Sequence, residues 1–203
     1  MSTDVNRANF WARIYAEGGD RWERGEPAPP LARWVTGADA PAPGRALVPG
    51  CGRGHEALML AAAGWQVTGL DLVETPLADA RAAAEQRGLA DRVSFEQGDF
   101  FARSAEEGLS GGFELMLEHT CYCAIDPARR DDYADAAVRV LAPGGRLVGL
   151  FWACGNQDGP PWTCTASELE ARFGARLEIE RLEPAVGSFD NRAGELFMVA
   201  RRR

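Results

Sequence analysis

The chain has 203 residues, with 22 Lys plus Arg against 30 Asp plus Glu and a formal net charge of −8. Its 46% hydrophobic and 26% charged residues are ordinary globular values and exclude a disordered or collagen-like chain. The length suits a single domain, 1–203, and the acidic balance argues against a general nucleic-acid binder.

Residues 6–17 carry Phe10, Trp11, Ile14 and Tyr15 at helical spacing and predict a helix. Two Pro-rich stretches, 27–30 and 41–43, set an N-terminal arm, residues 1–30, apart from the rest of the chain. From Arg45 strand and helix alternate. Residues 45–48 read as a strand, 53–63 as an Ala- and Leu-rich helix stopped by Gly64, and 65–70 as a second strand. Thr75 before Pro76 reads as an N-cap with Pro at the first helical position, opening a helix that runs to Gly88. Residues 92–96 and 113–117 are strands three and four. Asp126 and Pro127 repeat the cap signal for a helix to Leu141, and Pro143-Gly144-Gly145 turns into strand five, 146–152. Thr165 with Glu168 three later forms a capping box for a short helix ending at Gly174. Residues 177–182 and 195–200 are two more strands with no helix between them, so they pair antiparallel. The expected fold is α/β: an open, seven-stranded, mostly parallel sheet in a three-layer Rossmann-like arrangement, with the last strand antiparallel. No apolar run approaches the roughly 20 residues of a membrane span, and the first residues hold no secretory signal. Five cysteines, an odd count without a signal, read as reduced thiols in the cytoplasm.

The segment 47–54, LVPGCGRG, follows a strand and opens a helix. Gly50, Gly52 and Gly54 let the backbone turn sharply and let a ligand lie against bare amides. Asp71, at the end of the second strand, can accept from both ribose hydroxyls. Asp99, after the third strand, can accept from an adenine amino group, and Phe100 can pack on the ring. Each alone reads as a turn or helix-entry residue. Together on one sheet edge they point to an adenosine-type site. A dinucleotide wants G-x-G-x-x-G and room for pyrophosphate, whereas the spacing here is G-x-G-x-G, which suits S-adenosylmethionine. His119, Cys121 and Cys123 have the wrong spacing for a metal, and none is expected. His55 reads as a surface or loop-packing residue and Cys51 as a small filler.

The runs VPGCGRG, GLDL, GDFF, EHTCYCAIDPARR and VLAPGGRLV, with FWARIYAEGGDRWERGEPAPPL before them, resemble class I S-adenosylmethionine-dependent methyltransferases. More narrowly, the chain resembles the thiopurine methyltransferase family, which includes bacterial members and plant halide and thiol methyltransferases. The PGG turn and the Asp after strand two belong to the wider class. The VPGCG form, the CAI-x-P segment and the Trp-bearing arm mark the narrower family. The resemblance implies that the arm closes over the cofactor and that Trp11, Tyr15 and Trp22 line its site. Aromatic faces attract a sulfonium cation, although spacing alone reads Trp11 and Tyr15 as the buried stripe of an amphipathic helix. His119 stands where the family often has a cofactor-contacting Tyr; it could instead act as a base near neutral pH or hold its loop.

The implied activity is methyl transfer to a small nucleophile, a thiol, sulfide or halide, leaving S-adenosylhomocysteine. An oxygen- or nitrogen-directed enzyme using His119 as base, or a non-catalytic cofactor binder, are the alternatives. The acceptor is expected between the arm, residues 120–125 and the long connection 151–162. The expected partner is a small-molecule acceptor, with no nucleic acid and no membrane, and the chain is expected to be a monomer.

Overall fold

The structure, a computed structural model, describes residues 4–106 and 108–203. In chain order the elements are α1 (Ala8–Ala16), α2 (Pro29–Val35), β1 (Arg45–Pro49), α3 (His55–Ala62), β2 (Gln66–Asp71), α4 (Glu74–Gln86), β3 (Val93–Gln97) and α5 (Phe100–Arg103). Next come β4 (Phe113–His119), α6 (Arg130–Val140), β5 (Leu141–Trp152), α7 (Ala166–Gly174), β6 (Glu178–Pro184) and β7 (Glu195–Arg201). The seven strands lie in the order β3-β2-β1-β4-β5-β7-β6. β7 runs antiparallel to both β5 and β6, and the other pairs are parallel.

Side-chain alternation along the central strands builds three layers, since successive residues face opposite sides of a sheet. Val48, Leu115, Val148 and Val199 join one core with Leu31, Trp34, Leu58 and Trp65. Leu47, Met116, Leu147 and Met198 join the other, with Tyr122, Tyr133, Phe151 and Phe173. Each such fully buried apolar side chain contributes roughly 1.5–3 kcal/mol. The strand order reverses between β2-β1 and β4-β5, so the C-terminal ends of β1 and β4 open a crevice there, where open α/β sheets bind ligands. No helix among the described residues is long and apolar enough to cross a membrane.

Three local expectations are corrected. α4 starts at Glu74, one residue before Thr75, and makes no side-chain cap. The Asp71 carboxylate takes the Val73 N–H at 2.9 Å instead, so the strand end supplies the acceptor at the helix entrance. The PGG turn is a bulge inside β5: Phe113 pairs with Leu141 and Leu115 with Arg146. Thr165 does accept from the Glu168 N–H at 3.1 Å, but the Glu168 carboxylate turns to Arg130 and the Tyr122 hydroxyl, both at 2.9 Å, so only half the capping box forms. α2 was not expected. Its seven residues are too short for a readable period, yet Leu31, Trp34 and Val35 are buried.

Candidate active site

The site begins at the turn after β1. Gly50, Gly52 and Gly54 have φ of +59°, +50° and +78°, a left-handed run that glycine adopts without strain. The turn is held by the end of β2: Asp71 accepts the Gly52 N–H at 2.9 Å on one oxygen and the Val73 N–H on the other. Burial pushes the Asp71 carboxyl above its usual range, against the pull of those N–H groups. At Gly50 a Cβ would stand 2.9 Å from the Cys121 sulfur. Gly50→Ala should therefore cost about 1–3 kcal/mol of stability in urea unfolding, from φ strain and that contact together. An unchanged midpoint would show that the turn yields easily.

Beyond β3, Asp99 caps α5 by accepting the Phe101 N–H at 2.9 Å. Its other oxygen bonds nothing among the described residues. Phe100 is buried, 5.3 Å from the Tyr133 ring. On the facing side, the N-terminal segment folds an aromatic wall. The Trp22 ring stands edge-on to Trp11 at 5.7 Å and to Tyr15 at 5.6 Å. Trp11 donates to the Val5 carbonyl at 2.7 Å.

Ion pairs bind this segment to the start of α3. Arg53 bonds Asp20 and reaches Asp79 at 3.1 Å, and His55 meets Glu23 at 2.6 Å. His55 is thus a link between arm and glycine turn. The hydrogen bond from His55 pulls the Glu23 carboxyl down to about 2, and Glu23 in turn raises His55.

These parts enclose a cavity of about 650 Å³. Trp11, Tyr15, Trp22, Gly50, Asp71, Asp99 and Phe100, seven of the residues singled out in the sequence, line it. His119 does not; it lies behind, on a smaller pocket beside Gly50 and Thr120. Its Nδ1 is 2.8 Å from Glu56 and its Nε2 faces Glu195 at 3.7 Å. Burial alone would lower the imidazole, but the facing carboxylates outweigh it and push it up to about 9. His119 is off the wall of the large cavity and both its ring nitrogens face carboxylates, so neither is presented to an acceptor bound there, which is the contact a general base needs. His119, Cys121 and Cys123 also diverge: His119 turns to Glu56, Cys121 lies against Gly50, and the Cys123 thiol points to the Thr120 carbonyl at 3.4 Å.

The far end of the cavity falls in the expected region, with Thr120, Ile125, Trp152 and Pro160 on its wall. It also contains Arg192, which sequence reading missed. Arg192 is 3% exposed, and its guanidinium lies 4.4 Å from the Trp152 ring centre. It has no carboxylate partner among the described residues, although an isolated buried charge is costly.

The donor set does not suit a dinucleotide. Asp71 already occupies the Gly52 amide, and the glycine spacing leaves no cradle for pyrophosphate. It suits an adenosine whose far end is a cation: carboxylates where ribose and adenine would lie, and aromatic faces opposite. Glycine at position 50 matters for the same reason, because a side chain there would meet Cys121. On this fold, that is a class I S-adenosylmethionine-dependent methyltransferase.

Comparison with known proteins narrows the class. The family described as Thiopurine S-methyltransferase matches residues 6–197, and the chain belongs to that family. Thiocyanate methyltransferase 1 of Brassica oleracea is 32% identical over 161 residues, covering 79% of this chain and 69% of that one. A thiopurine S-methyltransferase of Legionella pneumophila (strain Corby) is 26% identical over 188 residues, 86% of this chain and 84% of its own. Among solved structures, a Burkholderia thailandensis 1,6-didemethyltoxoflavin-N1-methyltransferase with bound S-adenosylhomocysteine superposes with a TM-score of 0.76. The two are 21% identical, over 96% of this chain and 86% of that one, and share the fold.

Proposed function

We propose that the enzyme methylates a small soft anion, a thiolate, sulfide or halide, gathered by Arg192. The observation that carries this reading is a buried guanidinium on the cavity wall with no carboxylate partner among the described residues. The relatives agree in kind, being named for thiocyanate and thiopurine sulfur.

S-adenosylmethionine, when bound, supplies an electrophilic methyl group on a sulfonium. In this reading Asp71 accepts from the ribose hydroxyls, the free oxygen of Asp99 accepts from the adenine amino group, and Phe100 packs on the ring. Trp11, Tyr15 and Trp22 face the sulfonium and keep water out. Arg192 holds an anion without taking or giving a proton, because a guanidinium stays charged. An acceptor that arrives ionised needs no base, so positioning is the main contribution of the protein. The reading includes residues 1–30 as a covering arm on a single domain, and a monomer working in the cytoplasm with its five thiols reduced.

The arm should protect itself when cofactor is present. Gly18 and Gly25 have positive φ and open space around them, so protease should cut between them in apo protein and more slowly with S-adenosylhomocysteine. Equal cutting would mark the segment as fixed. Protection also depends on pH through His55 and Glu23. The contribution of Glu23 is present above its unfolded value of about 4.3 and is lost as pH falls towards its depressed folded value. The contribution of His55 is full below about 6.5 and is lost as pH rises through its raised folded value. The segment should therefore be best protected in mildly acidic solution.

A panel of thiols, sulfide, iodide, thiocyanate, phenols and amines, read by S-adenosylhomocysteine formation, tests the acceptor class. For thiols the rate should follow the pKa of each thiol. Faster turnover of phenols or amines, with one fixed midpoint, would overturn the reading.

A further inference from the structure

We infer that His119 is a positioning residue for methyl transfer: held between Glu56 and Glu195, it fixes where the 120–125 loop leaves β4 beside the glycine turn and the base of the N-terminal segment. This rests on the acceptor reading above for the role of the loop, and on geometry for the rest.

Three separate parts of the molecule meet at this imidazole. Glu56 stands on α3, directly behind the glycine turn, and its Oε1 receives both His119 Nδ1 at 2.8 Å and the Ala28 N–H at 3.1 Å. Ala28 is the residue that flanks the start of α2, where the N-terminal segment joins the body. Glu195 opens β7, paired in register with Trp152, the residue that stacks on Arg192. The next residue after His119, Thr120, has φ of +67°, the single non-glycine residue in the left-handed region among those described. A threonine there is strained and needs its neighbours to hold it. His119, itself nearly enclosed, is the neighbour best placed to do so, and Thr120 lines both the large cavity and the small pocket.

The charges around His119 favour its protonated form. Glu56 faces it from α3 and Glu195 from β7; Glu118, on its own strand, turns to the Tyr122 N–H at 2.8 Å and the Tyr133 hydroxyl. Glu23, Arg24, Glu26, Arg53 and His55 share the small pocket. The imidazolium donates from Nδ1 to Glu56 and attracts Glu195 across 3.7 Å by charge, whereas a neutral ring keeps only the Glu56 hydrogen bond. Loss of its proton therefore frees one side of the junction.

The chain has two histidines, so a proton NMR titration shows two ring signals, assigned with His55→Gln. His119 should stay protonated through neutral pH. Iodide or thiocyanate as acceptor carries no titrating group, so any pH dependence belongs to the enzyme. With these, the acceptor KM should rise several-fold at the pH where the His119 signal titrates, while kcat changes little. Burial puts the Cys51 thiol well above its ordinary value, so it does not account for a change near pH 9. His119→Gln should raise KM at every pH and remove that dependence. Glu195→Gln, which keeps the Glu56 contact, should move the dependence to lower pH, and it serves should His119→Gln fail to fold.

A wild-type KM in His119→Gln, a KM that stays flat while His119 titrates, or a His119 that titrates below neutral pH would overturn the inference. If no soft anion is methylated at all, the acceptor reading falls. The same pH dependence is then read in S-adenosylhomocysteine affinity, through Glu56 and Ala28; a flat affinity overturns the positioning role itself.

Discussion

Replacing Asp71 with Ala should weaken S-adenosylhomocysteine binding by about 3 kcal/mol, on the order of a hundredfold in Kd by calorimetry. Two losses combine. Ribose hydroxyls lose a charged acceptor, and the Gly52 and Val73 amides lose the oxygens that shape the turn. The effect on stability separates a binding role from a structural one. Burial raises the folded pKa of Asp71, so its stabilising contribution is present below the unfolded value of about 3.9 and is lost as pH rises through the folded one. At neutral pH the buried charge is a cost. Asp71→Asn removes that charge but leaves one of the Gly52 and Val73 N–H groups without its oxygen, so the apo protein should stay close to wild type in stability, yet bind cofactor poorly. Unchanged affinity in both variants would remove Asp71 from the site, and a parallel fall in Tm and affinity would make it a structural residue.

Arg192→Met should lower kcat/KM for anionic acceptors about 10²-fold while leaving cofactor affinity unchanged. A charge-assisted bond to an otherwise desolvated anion is worth a few kcal/mol, and methionine fills much of the same space without offering it. Arg192→Lys keeps the charge but loses the planar fork and its stacking on Trp152, so it should fall between the two. Because the guanidinium has no counter-ion among the described residues, the Met variant should unfold at the same temperature or higher. Loss of equal size with an uncharged acceptor would show that Arg192 shapes the pocket and does not read charge.

The strands were readable because apolar runs bounded by Gly and Pro mark them, as suits central strands buried on both faces. Asp71 and Asp99 were readable because topology puts strand ends on one edge. Arg192 was not. It sits in a short 3-10 turn, Asp190–Arg192, within a stretch that has no period, and its meaning lies in the absence of a partner, which only the folded chain reveals. His119 was visible as a titratable residue, but its chemistry is set by Glu56, 63 positions away, and by Glu195. The same holds for His55 and Glu23, 32 positions apart, whose pairing turns an apparently superficial histidine into an anchor.

The cysteines around the cavity have a consequence for an enzyme whose cofactor is an alkylating agent. Cys121 and Cys123 are on its wall, and Cys51 sits inside the glycine turn. Burial first, and then nearby carboxylates, push Cys51 and Cys121 well above the ordinary thiol range; burial takes Cys123 and Cys164 up to about 12. A neutral thiol is a poor nucleophile. The desolvation of these thiols thus also spares the enzyme from suicide by its own reagent: the resident sulfurs are kept inert beside the methyl donor.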